Sequence, residues 1–119
     1  MAELDGRVVL VVGASGGLGS RLVAELDAAG ATVLSASRST TASLDLSDPQ
    51  SIRDYVGGLT ALDGVVIAAG VVAFGPADQV SDGVLAELFV DDAVGPITLI
   101  RELTPLLAES AAAGRTPFI

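Results

Sequence analysis

Val8–Val12 is an unbroken run of five apolar, mostly β-branched residues, the pattern of a strand buried on both faces of a parallel sheet. With Arg7 it predicts a first strand over Arg7–Val12. The apolar positions Leu18, Leu22, Val23 and Leu26 then fall at helical spacing and predict a helix from Gly17 to about Ala29, with Gly30 where a C-terminal glycine belongs. Thr32–Ala36 reads as a second strand, Ser37–Thr41 as a polar loop and Ala42–Leu46 as a short third strand. Asp48-Pro49 is a helix start, with the acid as N-cap and proline at the first helical position; that helix runs through Ile52, Tyr55 and Val56 to Gly57-Gly58. A fourth buried strand covers Gly64–Ala69. After the loop Val71–Gln79, one helix is expected from about Ser81 to Phe89 and a longer one from Ala93 to about Ala112, kinked at Pro105 and closed by Gly114. Pro117-Phe118-Ile119 looks like the start of a fifth strand.

Strands alternating with helices through short connections imply right-handed crossovers and a parallel sheet. The expectation is an α/β fold, a Rossmann-like doubly wound parallel sheet of order 3-2-1-4-5 in three α/β/α layers, truncated at the fifth strand. Residues 1–119 read as a single, incomplete domain. A chain that stops where a strand begins is expected to be the first 119 residues of a longer protein, because it leaves a sheet edge and apolar surface uncovered. The stripe Leu99, Leu103, Leu106 and Leu107 is read as part of that uncovered surface. A homo-oligomer is expected, first as a two-fold dimer through this helix, otherwise by exchange of the terminal strand.

Composition narrows the chemistry. Half the residues are hydrophobic but aromatics are only 3%, so Val, Leu, Ile and Ala must fill the core. A net charge of −9 argues against nucleic acid or an anionic membrane as partner. There is no cysteine and no histidine, which removes disulfides, thiolate metal sites and zinc or copper ligation; no metal site is expected. The polar N-terminus shows no signal peptide and no stretch is long and apolar enough to span a membrane, so cytoplasm is the expected location.

The loop Gly13-Ala14-Ser15-Gly16-Gly17-Leu18-Gly19, between a buried strand and a helix, has the arrangement of a nucleotide-phosphate cradle. Its glycines let the backbone approach a phosphate, and the helix N-terminus stabilises the charge. The spacing Gly13-x-x-x-Gly17-x-Gly19 differs from Gly-x-Gly-x-x-Gly and lacks the Lys-Ser/Thr of a P-loop. It resembles the TGxxxGxG motif of the short-chain dehydrogenase/reductase family, with Val12 at the usual Thr place. The resemblance spans nearly the whole chain and corresponds to the N-terminal half of a family member.

The resemblance implies a dinucleotide site. Gly13, Gly17 and Gly19 fall on the family's loop glycines, with Ser15, Gly16 and Leu18 beside them. At the end of the second strand, where an acid would favour NAD, stand Ser37-Arg38-Ser39, suited to a 2′-phosphate; NADP is therefore expected, with NAD possible. Asp45, with Leu46, matches the acid that contacts adenine. Ala68-Ala69-Gly70 lies where the family has Asn-Ala-Gly and lines the cofactor cleft. Asp92 takes the place of the family's catalytic asparagine.

The glycine loop also reads as a sheet-to-helix turn that holds no ligand. Arg38 suits a solvated surface position, Asp45 the cap of a turn, and Asp91-Asp92 a helix N-terminal pair meeting the macrodipole. Tyr55 suits helix packing.

All six basic residues are arginine, so the family's Tyr-x-x-x-Lys pair cannot be built here. Ser110 and Thr116 have no base to activate them. The chain is thus expected to be the NADP(H)-binding part of a short-chain oxidoreductase, inactive alone. The alternatives are a non-catalytic dinucleotide-binding or sensing module, or a structural fragment that self-associates.

Overall fold

The computed structural model describes residues 3–119; Met1 and Ala2 of the polar N-terminus lie outside them. Three parallel strands form the sheet: β1 (Val8–Val12), β2 (Thr32–Ala36) and β3 (Gly64–Ile67), in the order β2-β1-β3. Helix α1 (Gly17–Ala28) crosses from β1 to β2, and α2 (Pro49–Gly57) precedes β3. Helices α3 (Asp82–Phe89) and α4 (Gly95–Ala112) follow, after a 3₁₀ turn at Ala77–Gln79. In register, Val9–Val12 face Val33–Ala36 on one side and Gly64–Ile67 on the other. With neighbours on both sides and layers on both faces, β1 has no exposure at Val9–Val11, as its unbroken apolar run requires.

The expected third strand at Ala42–Leu46 does not form. A parallel neighbour to β2 needs a crossover of about a dozen residues or more, and only five separate Ala36 from Ala42. The segment instead closes a hydroxyl-rich turn. Thr40 Oγ1 accepts from Ser37 N at 3.0 Å and donates to Ser37 O and Ala42 O, while Leu44 N donates to Ser37 O. Of the anticipated 3-2-1-4-5 order the sheet therefore contains the 2-1-4 part, with the start of the fifth strand present as one parallel bridge between Gly64 and Phe118. The strand expected over Gly64–Ala69 ends at Ile67, two residues early.

The α2 start is as its sequence dictates: Asp48 Oδ1 accepts from Gln50 N at 2.9 Å, with Pro49 at the first helical position. The two expected C-terminal helices are joined rather than separate, through a π-helical segment at Val90–Val94. Asp91 and Asp92 therefore lie inside a continuous helical run, not at a helix N-terminus. α4 continues through Pro105. Its leucines also face the other way from the expectation. Leu99 and Leu103 are fully buried and Leu107 nearly so, packed with Leu10, Leu62 and Val65, so the stripe is core and not an interface. The exposed apolar residues of this region are Leu85, Phe89, Val94 and Ile97, with Val72 and Phe74 in the preceding loop. Among the described residues no helix is long and apolar enough to cross a membrane.

Asp63 ties the far end of the sheet together. One carboxylate oxygen accepts from Val8 N and Arg115 Nη1, both at 2.8 Å, and the other from Ser110 Oγ at 2.7 Å. Gly114, at φ +82°, turns the chain after α4 so that Arg115 N reaches Ser110 O and its guanidinium reaches Asp63 and Gly6 O. Burial alone would raise the Asp63 carboxyl. The hydroxyl, the amide and the guanidinium outweigh it and hold the group below its ordinary value.

Arg115 is 44% exposed and can turn to water, so the loss of Asp63 is felt mainly by the donors left without an acceptor, at about 1–3 kcal/mol. Asp63→Ala is therefore expected to destabilise the chain by an amount of that order in urea denaturation. Because the folded-state value is depressed, the carboxylate stabilises the fold above its unfolded pKa, about 3.9, and this contribution is lost as pH falls through the lower folded value. Asp63→Asn should flatten the acid limb of a stability-against-pH profile; an unchanged limb would show that Asp63 does not set it.

Candidate functional site

The carboxyl ends of the three strands open into a cleft of about 510 Å³. It lies where the order reverses, with β2 on one side of β1 and β3 on the other, the position at which open parallel sheets bind ligands. Gly13, Ser15 and Gly16 form its floor, Ser37, Arg38 and Ser39 one wall, Asp45 and Leu46 a second, and Ala68, Ala69 and Gly70 the opposite side. Eleven of the fourteen residues singled out in the sequence thus converge on one space. Gly17, Leu18 and Gly19 do not line it. Leu18 is exposed on the first turn of α1, and Gly19 is buried beneath the loop.

The glycines have separable tasks. Gly13 adopts φ +83°, and a Cβ there would lie 2.7 Å from Ala69 N and 2.8 Å from the Ala68 carbonyl. A Cβ on Gly19 would collide with the Gly13 carbonyl. These two residues let β1, α1 and the end of β3 meet. Gly17 has open space where its side chain would be. α1 carries no side-chain cap and no acid in its first turn, and the amides of Gly17, Leu18 and Gly19 find no acceptor among the described residues. Uncapped first-turn amides beside a glycine floor are what an anion would satisfy.

At the second wall, Asp45 is partly committed. Its Oδ1 accepts from Ser47 N at 2.9 Å and from Ser47 Oγ at 2.7 Å. The Ser47 hydroxyl and amide, with the charge of Arg38, hold the carboxyl below its ordinary value against a small opposing effect of burial. The plain turn-capping reading of Asp45 is therefore correct for one oxygen. Arg38 is exposed and makes no ion pair among the described residues, unlike Arg21, Arg101 and Arg115. The Ser37 and Ser39 hydroxyls lie 3.1 Å apart beside it. Lacking a strand partner, residues 44–46 are held by Ser51 Oγ, which accepts from Asp45 N at 3.0 Å, and by Gly95 of α4, whose missing side chain admits the Leu46 backbone.

The pair Asp91-Asp92 takes two positions that differ from a helix N-terminus. Asp91 lines the cleft from the π-helical segment. Asp92, at the position matched to the catalytic asparagine, accepts from Val71 N at 2.9 Å and so fastens the loop after Gly70 to the helix. Tyr55 packs on the core away from the cleft, where burial pushes its phenol up. Among the described residues no cluster of acids could hold a metal ion.

The loop geometry separates two substitutions. Gly19→Ala forces β1 and α1 apart and is expected to cost about 1–3 kcal/mol, the usual cost of overpacking. Gly17→Ala meets nothing and should leave stability within about 1 kcal/mol of the native chain. Denaturant midpoints of the two variants check this; equal losses would show that the close contact is not the constraint.

The NAD dependent epimerase/dehydratase family model matches residues 9–107. No curated protein sequence matches the chain at a significant level. Similar solved structures include the Pseudomonas aeruginosa RhlG/NADP active-site complex, at 26% identity and TM-score 0.83, covering 90% of this chain and 50% of that one. The NADPH-bound carbonyl reductase from chicken fatty liver is 21% identical with TM-score 0.86, covering 96% and 53%. The short chain dehydrogenase from Shigella flexneri is 23% identical with TM-score 0.80, covering 90% and 52%. The last two likenesses speak to the fold alone. The chain spans about half the length of each. With the family match over most of its length, the chain belongs to the NAD dependent epimerase/dehydratase family, and it shares the fold of these dehydrogenase structures over about half their length.

Proposed function

We propose that the chain binds NADP(H) in the strand-end cleft as the cofactor-binding part of a short-chain-type oxidoreductase. The observation that carries the cofactor choice is Arg38, an exposed guanidinium without an ion pair at the end of β2, flanked by two hydroxyls and with no acid in Ser35–Ser39. A forked cation of this kind suits the 2′-phosphate that distinguishes NADP from NAD. The family name refers to NAD and one similar structure holds NADPH, so the nicotinamide dinucleotide has wider support than the phosphate.

In this reading the uncapped amides at the start of α1 receive the pyrophosphate over Gly13–Gly16. Asp45 and Leu46 face the adenine, and Ala68–Gly70 bound the cleft on the other side. The bound nicotinamide supplies hydride transfer. What these residues contribute is binding and orientation. The proton that must accompany hydride transfer has no donor system here: there is no lysine or histidine, and the one tyrosine lies away from the cleft.

Supply of the missing groups by the remainder of a protein of the relatives' length fits the exposed apolar face of Leu85, Phe89, Val94 and Ile97. A cytoplasmic oligomer accords with this reading. A purely sensing module keeps the same cleft and differs only in the absence of a catalytic half.

Titration of the native chain should show tighter binding of NADPH than of NADH. Arg38→Ala should lose about ten- to a hundredfold for NADPH, the worth of one charge-assisted contact, and little for NADH. Equal affinities, indifferent to the substitution, would overturn the choice. A panel of carbonyls and alcohols with NADP(H) should show no hydride transfer by this chain. Turnover that survives purification and disappears in Gly17→Asp would contradict that expectation.

A further inference from the structure

β2 is an edge of the sheet, and its free side is sharply bounded. Thr32 N donates to Arg7 O, and Gly13 N donates to Ala36 O. In a parallel ladder this phase assigns Thr32, Leu34 and Ala36 to β1 and turns the amides and carbonyls of Val33 and Ser35 outward. No acceptor or donor among the described residues meets those four groups. The flanking groups are taken: Ala31 N donates to Leu26 O, Ser37 N to Thr40 Oγ1, and Ser37 O accepts from Leu44 N. Two residues of open strand remain, in a groove walled by Leu34, Tyr55 and Leu59, all half-buried, and by Ala42, Ser43 and Gly58, with the exposed Asp54 as its one charged residue.

The usual protections of an edge are missing. Thr32-Val33-Leu34-Ser35-Ala36 has no charge, no proline and no bulge, and among the described residues no helix or loop pairs with its free side. The geometry of the open window also selects its occupant. In an antiparallel pair centred on Leu34, Val33 lies opposite the partner's Ser35 and Ser35 opposite the partner's Val33. Both are positions that exchange two hydrogen bonds. All four outward groups of each copy are then satisfied at once, and neither strand needs to extend further, where its groups are already used. Leu34 faces the partner's Leu34 at a non-hydrogen-bonded site, with Cα atoms about 4.5 Å apart. The two grooves, each with Leu34, Tyr55 and Leu59 on its apolar side, then join across the axis. An unrelated peptide could use the same four groups, but only a second copy brings a matching groove and closes by two-fold symmetry.

We infer that the chain self-associates through antiparallel β2–β2 pairing about a two-fold axis at Leu34, forming one continuous sheet of six strands. The contact is short, which makes it a weak, concentration-dependent dimer. It shares no residue with the strand-end cleft and stands apart from the cofactor assignment.

Sedimentation equilibrium across a concentration series, combined with amide hydrogen exchange, tests it on the 119-residue chain. A dimer is expected, with the Val33 and Ser35 amides gaining protection as it forms and those of Thr32 and Leu34 protected throughout. Val33→Pro removes one donor per copy while sparing the ladder to β1, and should weaken the dimer about ten- to a hundredfold. Ser35→Lys places a charge at the edge and should act in the same direction should the proline disturb β2. A chain that stays monomeric, a dimer untouched by both substitutions, or Val33 and Ser35 amides that exchange alike at every concentration would overturn the inference.

Discussion

The chain leaves β1 at Gly13 into a space with no room for a side chain. The Ala68–Ala69 backbone lies on one side, and Gly19 of α1 folds back onto the Gly13 carbonyl. This close packing of three backbone segments determines where α1 begins. It also brings the ends of β1 and β3 to the same edge of the cleft. A methyl group at Gly13 or Gly19 would push these pieces apart, whereas Gly17 is free of any such limit. The seven-residue loop therefore combines a packing requirement with a ligand-facing one, and the two fall on different glycines.

At the opposite end of the sheet the organising element is polar. Asp63 collects the N-terminus of β1, the last turn of α4 and the chain after Gly114 around one buried carboxylate, which accepts from Val8 N and Arg115 Nη1 at 2.8 Å and from Ser110 Oγ at 2.7 Å. A buried acid is costly unless its lone pairs are used. Here three donors use them. The clasp also holds the terminal bridge, because Phe118 N donates to Asp63 O and Val65 N to Phe118 O. The ring of Phe118 fills the space that the absent Gly64 side chain leaves. This clasp lies away from the cleft, where the Arg38 guanidinium makes no ion pair among the described residues.

Sequence periodicity made the helices and the three paired strands legible, because each has a clean apolar pattern and a turn or cap at its end. Most of the cleft was legible as well, since strand ends and the glycine loop are local features. Apolar residues at Ala42, Leu44 and Leu46 alternate as a strand would, but the five-residue spacing from Ala36 is too short for a parallel crossover and decides against it. The leucine stripe of α4 has the spacing of an exposed apolar face, yet Leu99, Leu103 and Leu107 belong to the core with Leu10, Ile52 and Val65. The run from α3 into α4 has two apolar faces, and the outward one (Leu85, Phe89, Val94 and Ile97) is displaced from the inward one across the π-helical segment. Nothing local announces a π turn, nor the pairing of Asp63 with Arg115 across 52 residues.

The short link between β2 and the segment leading to α2 has consequences at both ends of β2. At the carboxyl end it compresses Ser37–Leu44 into a turn held by Thr40, which keeps Arg38 and its flanking hydroxyls on the rim of the cleft. Residues 44–46 then need another support, and Ser51 and Gly95 provide it from the two helices beneath. Along its length the same economy leaves Val33 and Ser35 without a neighbour strand. Lengthening this link to permit a paired third strand would cover the edge, but it would also release the turn that positions Arg38. The open edge and the fixed arginine are two results of one short connection.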